Sequence, residues 1–183
     1  TCCVLNVKSR INQLFINPAF NIKYATGIEN FISANYTFSN SIANIQDVYG
    51  GYILHNYNQL VNTAIPARQS NMQNASIAFN YRKTIKIFFA NIAAIYTSVK
   101  NNSISQFDLF NNLQRQTTIP LNNTINSFTL FSGASKYLFK LHATVNIKAS
   151  AKQSDWMQLQ NGALLGYTNS TYSVSAGLTP KIT

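Results

Sequence analysis

Residues 137 to 150 carry the feature that most restricts what this chain can become. From Phe139 to Ala149 every odd position is apolar (Phe139, Leu141, Ala143, Val145, Ile147, Ala149), and every even one is polar (Lys140, His142, Thr144, Asn146, Lys148). Side chains alternate across a strand with period two, so the stretch reads as one strand with a dry and a wet face. At about a dozen residues it exceeds the usual five or six and could cross a bilayer at a tilt. What covers the dry face is therefore the first question about the fold.

Composition narrows the answer. Charged residues make up 10 % of the 183, against roughly 25 % in an ordinary soluble domain. Fourteen Lys and Arg stand against four Asp and Glu, a net charge of +10. The polar positions are filled by Asn, Ser, Thr and Gln, which wet a surface without charging it. The cations are scattered singly, with no basic run or basic helical face, so nucleic acid is not the expected partner. Cys2 and Cys3 are adjacent and cannot build a disulfide framework. No apolar run reaches the length of a transmembrane helix.

The same alternation recurs along the chain. It is read at Ala19–Ala25, Phe31–Ser39, Ala75–Arg82 and, less cleanly, Ile87–Val99, where Phe88, Ala90, Ile92, Ala94 and Tyr96 form the dry side. Weaker strands are read at Thr124–Phe131, Ala163–Thr168 and Tyr172–Leu178. Short turns are expected near residues 28, 84, 135 and 181. Long polar connections are expected over 40–71, 100–122 and 151–162, all at the opposite end. No helix is expected.

A soluble β-sandwich alternates too. Its outward face, however, normally carries Lys, Glu and Asp, partly to block edge pairing; here that face is Ser, Thr, Asn and Gly. Strands of ten or more residues, apolar-out and polar-in, with short turns at one end and long loops at the other, are those of an outer-membrane barrel. Tyr24, Phe31, Tyr81, Phe88, Phe89 and Tyr137 flank the expected short turns, where an aromatic girdle would lie. The expected fold is all-β: a segment of an antiparallel up-and-down transmembrane β-barrel of about 7–8 strands. Leu141 and Val145 would face lipid, and Lys140, His142, Thr144, Asn146 and Lys148 the lumen.

Catalytic constellations do not emerge. Glu29, Asp47, Asp108 and Asp155 are far apart. His55 and His142 have no second ligand at metal-binding spacing, and no phosphate loop or nucleophile motif occurs. The expectation is a non-enzyme with no catalytic, cofactor-binding or metal-binding residue and no cofactor. The first long connection, with Tyr49, Tyr52, His55, Tyr57 and Arg68, is richest in aromatic and polar groups, and loops are where binding concentrates.

The run from Asn40 to Tyr57, with Asp47-Val48-Tyr49-Gly50-Gly51-Tyr52-Ile53-Leu54-His55-Asn56-Tyr57 at its centre, resembles a long-loop pattern of Bacteroidota TonB-dependent receptor-like proteins. Ser76–Arg82 followed by Ile85–Asn91 is similar to the strand, basic turn and strand of that family. The likeness spans about residues 18 to 182. It implies the C-terminal part of a large outer-membrane barrel that imports a nutrient, with residues 1–183 belonging to one barrel domain. The N-terminal plug and earlier strands would lie outside the chain, which has no initiating Met and reads as part of something longer. The implied partners are outer-membrane lipid, the rest of the barrel and its plug, and TonB and a surface lipoprotein through the missing regions; nucleic acid is not among them. Two alternatives stay open: a surface-displayed soluble β-sandwich that binds or adheres, and an outer-membrane barrel that does not transport.

Overall fold

The computed structural model describes residues 14–42, 51–62, 69–110 and 112–180. They form one eleven-stranded open sheet with no α-helix. Seven strands are its body: β1 (Ala19–Ala25), β2 (Phe31–Ile42), β5 (Gln69–Lys83), β6 (Phe88–Asn101), β9 (Asn123–Leu138), β10 (Ala143–Gln160) and β11 (Ala163–Pro180). Each pairs antiparallel with the next in that series. Four short strands sit in the connections: β3 (Ile53–Asn56) with β4 (Gln59–Asn62), and β7 (Ile104–Phe110) with β8 (Leu113–Ile119). These two hairpins join by a parallel β4–β8 pairing, and β7 continues onto the end of β10 by another parallel pairing, Leu159 opposite Gln106.

The expected count of 7–8 antiparallel strands is therefore not matched: the sheet is mixed and has eleven. The polar segments 40–71 and 100–122 lack a period-two signature, so their hairpins were not visible as strands. Their ladders come from backbone groups, which pair whatever the side chains are. Asp47, Tyr49, Arg68, Cys2 and Cys3 lie outside the described residues, as does the turn expected near 181.

The stretch read as one strand is broken. Phe139–Leu141 is a short 3-10 turn, and His142 is left-handed (φ 44°), its N–H donating to the Phe139 carbonyl at 3.4 Å. The turn expected over 132–136 is instead the interior of β9. Alternation was misleading because the turn residues happen to continue it: Phe139 and Leu141 are exposed turn side chains, not strand positions facing lipid, and Lys140 and His142 do not lie on a strand face. The same device closes β5 to β6, where Thr84–Lys86 turns and Ile87 is left-handed (φ 44°).

The third long connection is also absent. β10 runs unbroken to Gln160, and Asn161-Gly162 (φ 48° and 79°) turns the chain into β11. Positive φ at both central residues is the hairpin geometry that Asn-Gly favours. The two last strands read from sequence are one, paired with β10 from Gln160↔Ala163 to Ala143↔Pro180.

Register gives the sheet its two faces. Along one row Ala34, Ile77, Ala94 and Leu130 are successive cross-strand partners, continuing through Ala151 to Tyr172. Phe79, Ile92, Ser132, Ala149 and Val174 form the next row on the same face, and Tyr81, Ala90, Ala134, Ile147 and Ala176 the one beyond. The opposite face carries Asn35 and Ser76 in one row, and Asn80, Asn91, Gly133, Lys148 and Ser175 in another. A one-residue slip in any pairing would mix the faces. Nothing packs on the apolar face among the described residues: Ile77 is 55 % exposed, Ile147 50 % and Val174 79 %. Ile104 and Ala143 are the buried hydrophobic residues of the described chain, so the single-layer sheet has no core of its own.

Candidate functional site

Three regions hold side chains in defined arrangements. At the short-turn end, neighbouring hairpins are stitched together. The Asn30 side-chain oxygen accepts the Arg82 backbone N–H at 2.9 Å, and the Glu29 carboxylate accepts the Thr84 N–H at 2.8 Å. Both acceptors satisfy donors at a strand end that the ladder leaves open. Glu29 is thereby a turn-fixing residue, which its isolation in sequence did not reveal. Nearby, two cations stand over the Phe31 ring, with Lys23 Nζ 4.2 Å and Arg82 Cζ 5.6 Å from its centroid. A ring face attracts positive charge at such distances.

At the other end, the β7–β8 hairpin carries a compact polar cluster. Asp108 and Arg115 are direct cross-strand partners, and an Arg115 guanidinium nitrogen stands 3.2 Å from Asp108 Oδ2. The Gln106 amide donates to both carboxylate oxygens, at 2.9 and 3.0 Å. These donations, Gln106 first, hold the Asp108 carboxyl below its ordinary value of 3.8, against an opposing contribution from partial burial and with further help from Arg115's hydrogen bond and charge. On β10 and β11, Trp156 stacks on its cross-strand partner Tyr167 with ring centroids 5.9 Å apart and planes at 19°. Asp155 accepts a 2.7 Å hydrogen bond from Thr168.

The third region is the polar face of the long strands. Asn35 bridges it laterally, accepting from Asn21 and donating to Ser76 at 3.5 Å. Lower on this face a groove of about 390 Å³ opens over β5, β6, β9 and β10, lined by Arg82, Asn80, Asn91, Asn146 and Lys148. Gly133 forms its floor: a Cβ built there would lie 2.7 Å from the Asn91 side-chain oxygen. A strand glycine commonly marks a close approach of another group. Sequence reading passed over Gly133 as a turn residue because Ser-Gly-Ala-Ser suggests a turn, and only the ladder places it mid-strand.

The residues singled out from sequence are dispersed. His55 lies on exposed β3 and His142 at the β9–β10 turn. Tyr52 and Tyr57 are exposed beside the β3–β4 hairpin, with Tyr57 at 92 %. Among the described residues no three His, Cys, Asp or Glu side chains come together as a metal site would require. Thr144, Asn146 and Lys148 do share the polar face, and Val145 lies on the apolar one. Tyr24, Tyr81 and Phe88 fall on the apolar face next to the short turns, whereas Phe31, Phe89 and Tyr137 fall on the polar face.

No protein family model matches the chain, and no curated protein matches it. Among solved structures it is similar to the outer membrane transporter YddB from Escherichia coli, with a TM-score of 0.40 and 8 % identity over 88 % of this chain. The chain spans 25 % of that structure's length.

Proposed function

We propose that the chain is part of the wall of an outer-membrane β-barrel, in a transporter of the TonB-dependent receptor kind that imports a nutrient. The observation that carries this reading is the partition of faces. Six consecutive antiparallel registers bring mostly apolar side chains together on one face of seven strands, and on the other mostly Ser, Thr and Asn, with the cations Lys23, Arg82, Lys148 and Lys152 and a minority of apolar residues such as Ile95 and Phe131. In water such a face would expose apolar area at roughly 25 cal/mol per Å², and contiguous patches of that size mark interaction surfaces. Lipid removes the penalty. The dry segment on β6, from Phe88 to Tyr96, also suits the nine to eleven residues of a tilted membrane strand. The finer assignment, to TonB-dependent uptake, rests on the likeness of the Asn40–Tyr57 and Ser76–Asn91 stretches to that family.

In this reading the apolar face meets hydrocarbon and the polar face lines an aqueous lumen. Lys83 and Lys136 both oppose Phe88 at the short-turn edge of the apolar band, where long cationic side chains reach the head-group level. The test is a charge scan in lipid vesicles. Ile147→Asp, on the apolar face one row in from its short-turn edge, should lower folding stability by about 1–2 kcal/mol. Asn146→Asp, one residue away on the polar face, should cost well under 1 kcal/mol. Equal tolerance at the two positions would sink the membrane assignment and favour a sheet covered by protein.

A further inference from the structure

We infer that the groove between Arg82 and Lys148 is a subsite for a small multivalent oxyanion, a di- or tricarboxylate or a phosphate compound, and that cargo of this class is what the wall recognises. The inference rests on the polar face being the solute-facing one. Charge sign is the first argument. Among the described residues the cations of this face are Lys23, Arg82, Lys148 and Lys152, and no carboxylate shares it: Glu29 sits in a turn, Asp108 on β7, and Asp155 on the other face of β10. A wall of one sign concentrates solutes of the opposite sign and repels others.

Geometry is the second. Arg82, Phe89, Ser135 and Asn146 are successive partners in one row of the ladder, and Asn80, Asn91, Gly133 and Lys148 in the next. Arg82 and Lys148 therefore stand on strands three spacings apart, about 14 Å between backbones. The Arg82 guanidinium stands 5.6 Å from the Phe31 ring, and turning it toward β6 lets the two long side chains meet the ends of one small dianion. Neither cation has an acidic partner among the described residues. Between them the groove presents Asn80, Asn91 and Asn146 amides, neutral groups that donate to an oxyanion without neutralising the cations. The missing Cβ at Gly133 leaves room for the Asn91 side chain, whose oxygen lies 2.7 Å from where that Cβ would stand. Guanidinium and ammonium donors to carboxylate or phosphate are the stronger class of hydrogen bond.

The experiment measures binding of succinate and inorganic phosphate to the chain folded in detergent micelles, by equilibrium dialysis at low salt, with the neutral succinamide as control. Saturable binding of the anions and none of succinamide is expected. Arg82→Gln and Lys148→Gln should each weaken succinate about tenfold, the loss of one charge-assisted contact. Gly133→Val should weaken it without changing charge, and Lys152→Gln, four residues up the strand and outside the groove, should leave it unchanged. Far-UV circular dichroism on the same samples reports whether each variant keeps its sheet. An intact sheet that binds no succinate, or a Lys152→Gln loss equal to that of Lys148→Gln, overturns the subsite while leaving the barrel-wall reading standing. Equal tolerance of Ile147→Asp and Asn146→Asp overturns the wall reading, whatever the dialysis finds.

Discussion

Asp108 illustrates how much one side chain can be held by its neighbours on a half-buried hairpin. It is 19 % exposed and accepts from Gln106 and Arg115. Because its folded-state pKa is lowered, its contribution to hairpin stability is complete above the ordinary carboxylate value and is lost as pH falls through the lower folded value. Amide exchange of β7 and β8 should thus be insensitive to pH-linked loosening near neutrality and speed up, relative to the intrinsic rate, on acidification below about pH 4. Asp108→Asn should loosen the hairpin at neutral pH and abolish that acid dependence. A wild-type hairpin with the same protection at both pH values would refute the linkage. None of this was legible beforehand, because Gln106, Asp108 and Arg115 meet only when a hairpin forms in a stretch with no strand signature.

At the scale of elements, the turns decide the staves. The β10–β11 hairpin depends on Asn161-Gly162 in the left-handed region. A Cβ on Gly162 would meet nothing within 4 Å, so the cost of Gly162→Ala comes from backbone conformation alone. It should lower stability by about 1 kcal/mol, seen as a shift in denaturation midpoint with no loss of sheet content. Gly177→Ala, also in open space but with no positive φ, serves as the comparison and should not show that loss. The β5–β6 and β9–β10 turns use a different solution, three residues of 3-10 turn and then a left-handed Ile87 or His142. The turn expected near 84 is in place, but Ile is a costly residue at positive φ, so the strand read from Ile87 begins one residue later, at Phe88. The Asn-Gly pair, by contrast, is the strongest short hairpin signal a sequence offers. It was obscured by the polarity of residues 151–160, which read as loop.

For the whole molecule, the open edges matter most. Among the described residues β1 and β11 end the series of antiparallel strands: β1 pairs with β2 alone and the eighteen-residue β11 with β10 alone. In hydrocarbon each unpaired backbone group costs several kcal/mol, so edges there must be closed. Reconstituted in vesicles without other strands, this chain should associate edge to edge, and cross-linking should yield multimers that increase with the protein-to-lipid ratio. A protease-protected monomer at every ratio would contradict the wall reading.

Sequence alone determined the class of structure and the character of its two faces. Period-two alternation dictates strands, and the residue types at alternate positions dictate one apolar and one mainly polar surface, wherever Phe20–Tyr24, Ile32–Phe38, Ala75–Tyr81, Phe88–Tyr96 and Val145–Ala149 pair. Those parts of the reading carried over because side-chain transfer energies constrain them directly. The bounds of β1 (Ala19–Ala25) and the start of β2 at Phe31 were legible too, but tertiary structure decided where the later strands end, how many there are and which side chains converge. Beyond the apolar band, at residues 152–160 and in the β3–β4 and β7–β8 hairpins, pairing is held by backbone hydrogen bonds that leave little mark on side-chain pattern. The stretch 137–150 shows both halves: its alternation correctly gave the faces of β10, while a turn at Phe139–His142, invisible to the pattern, set where that strand begins. The Arg82–Gly133–Lys148 groove belongs wholly to the second half, because its members lie on three strands that only the register brings side by side.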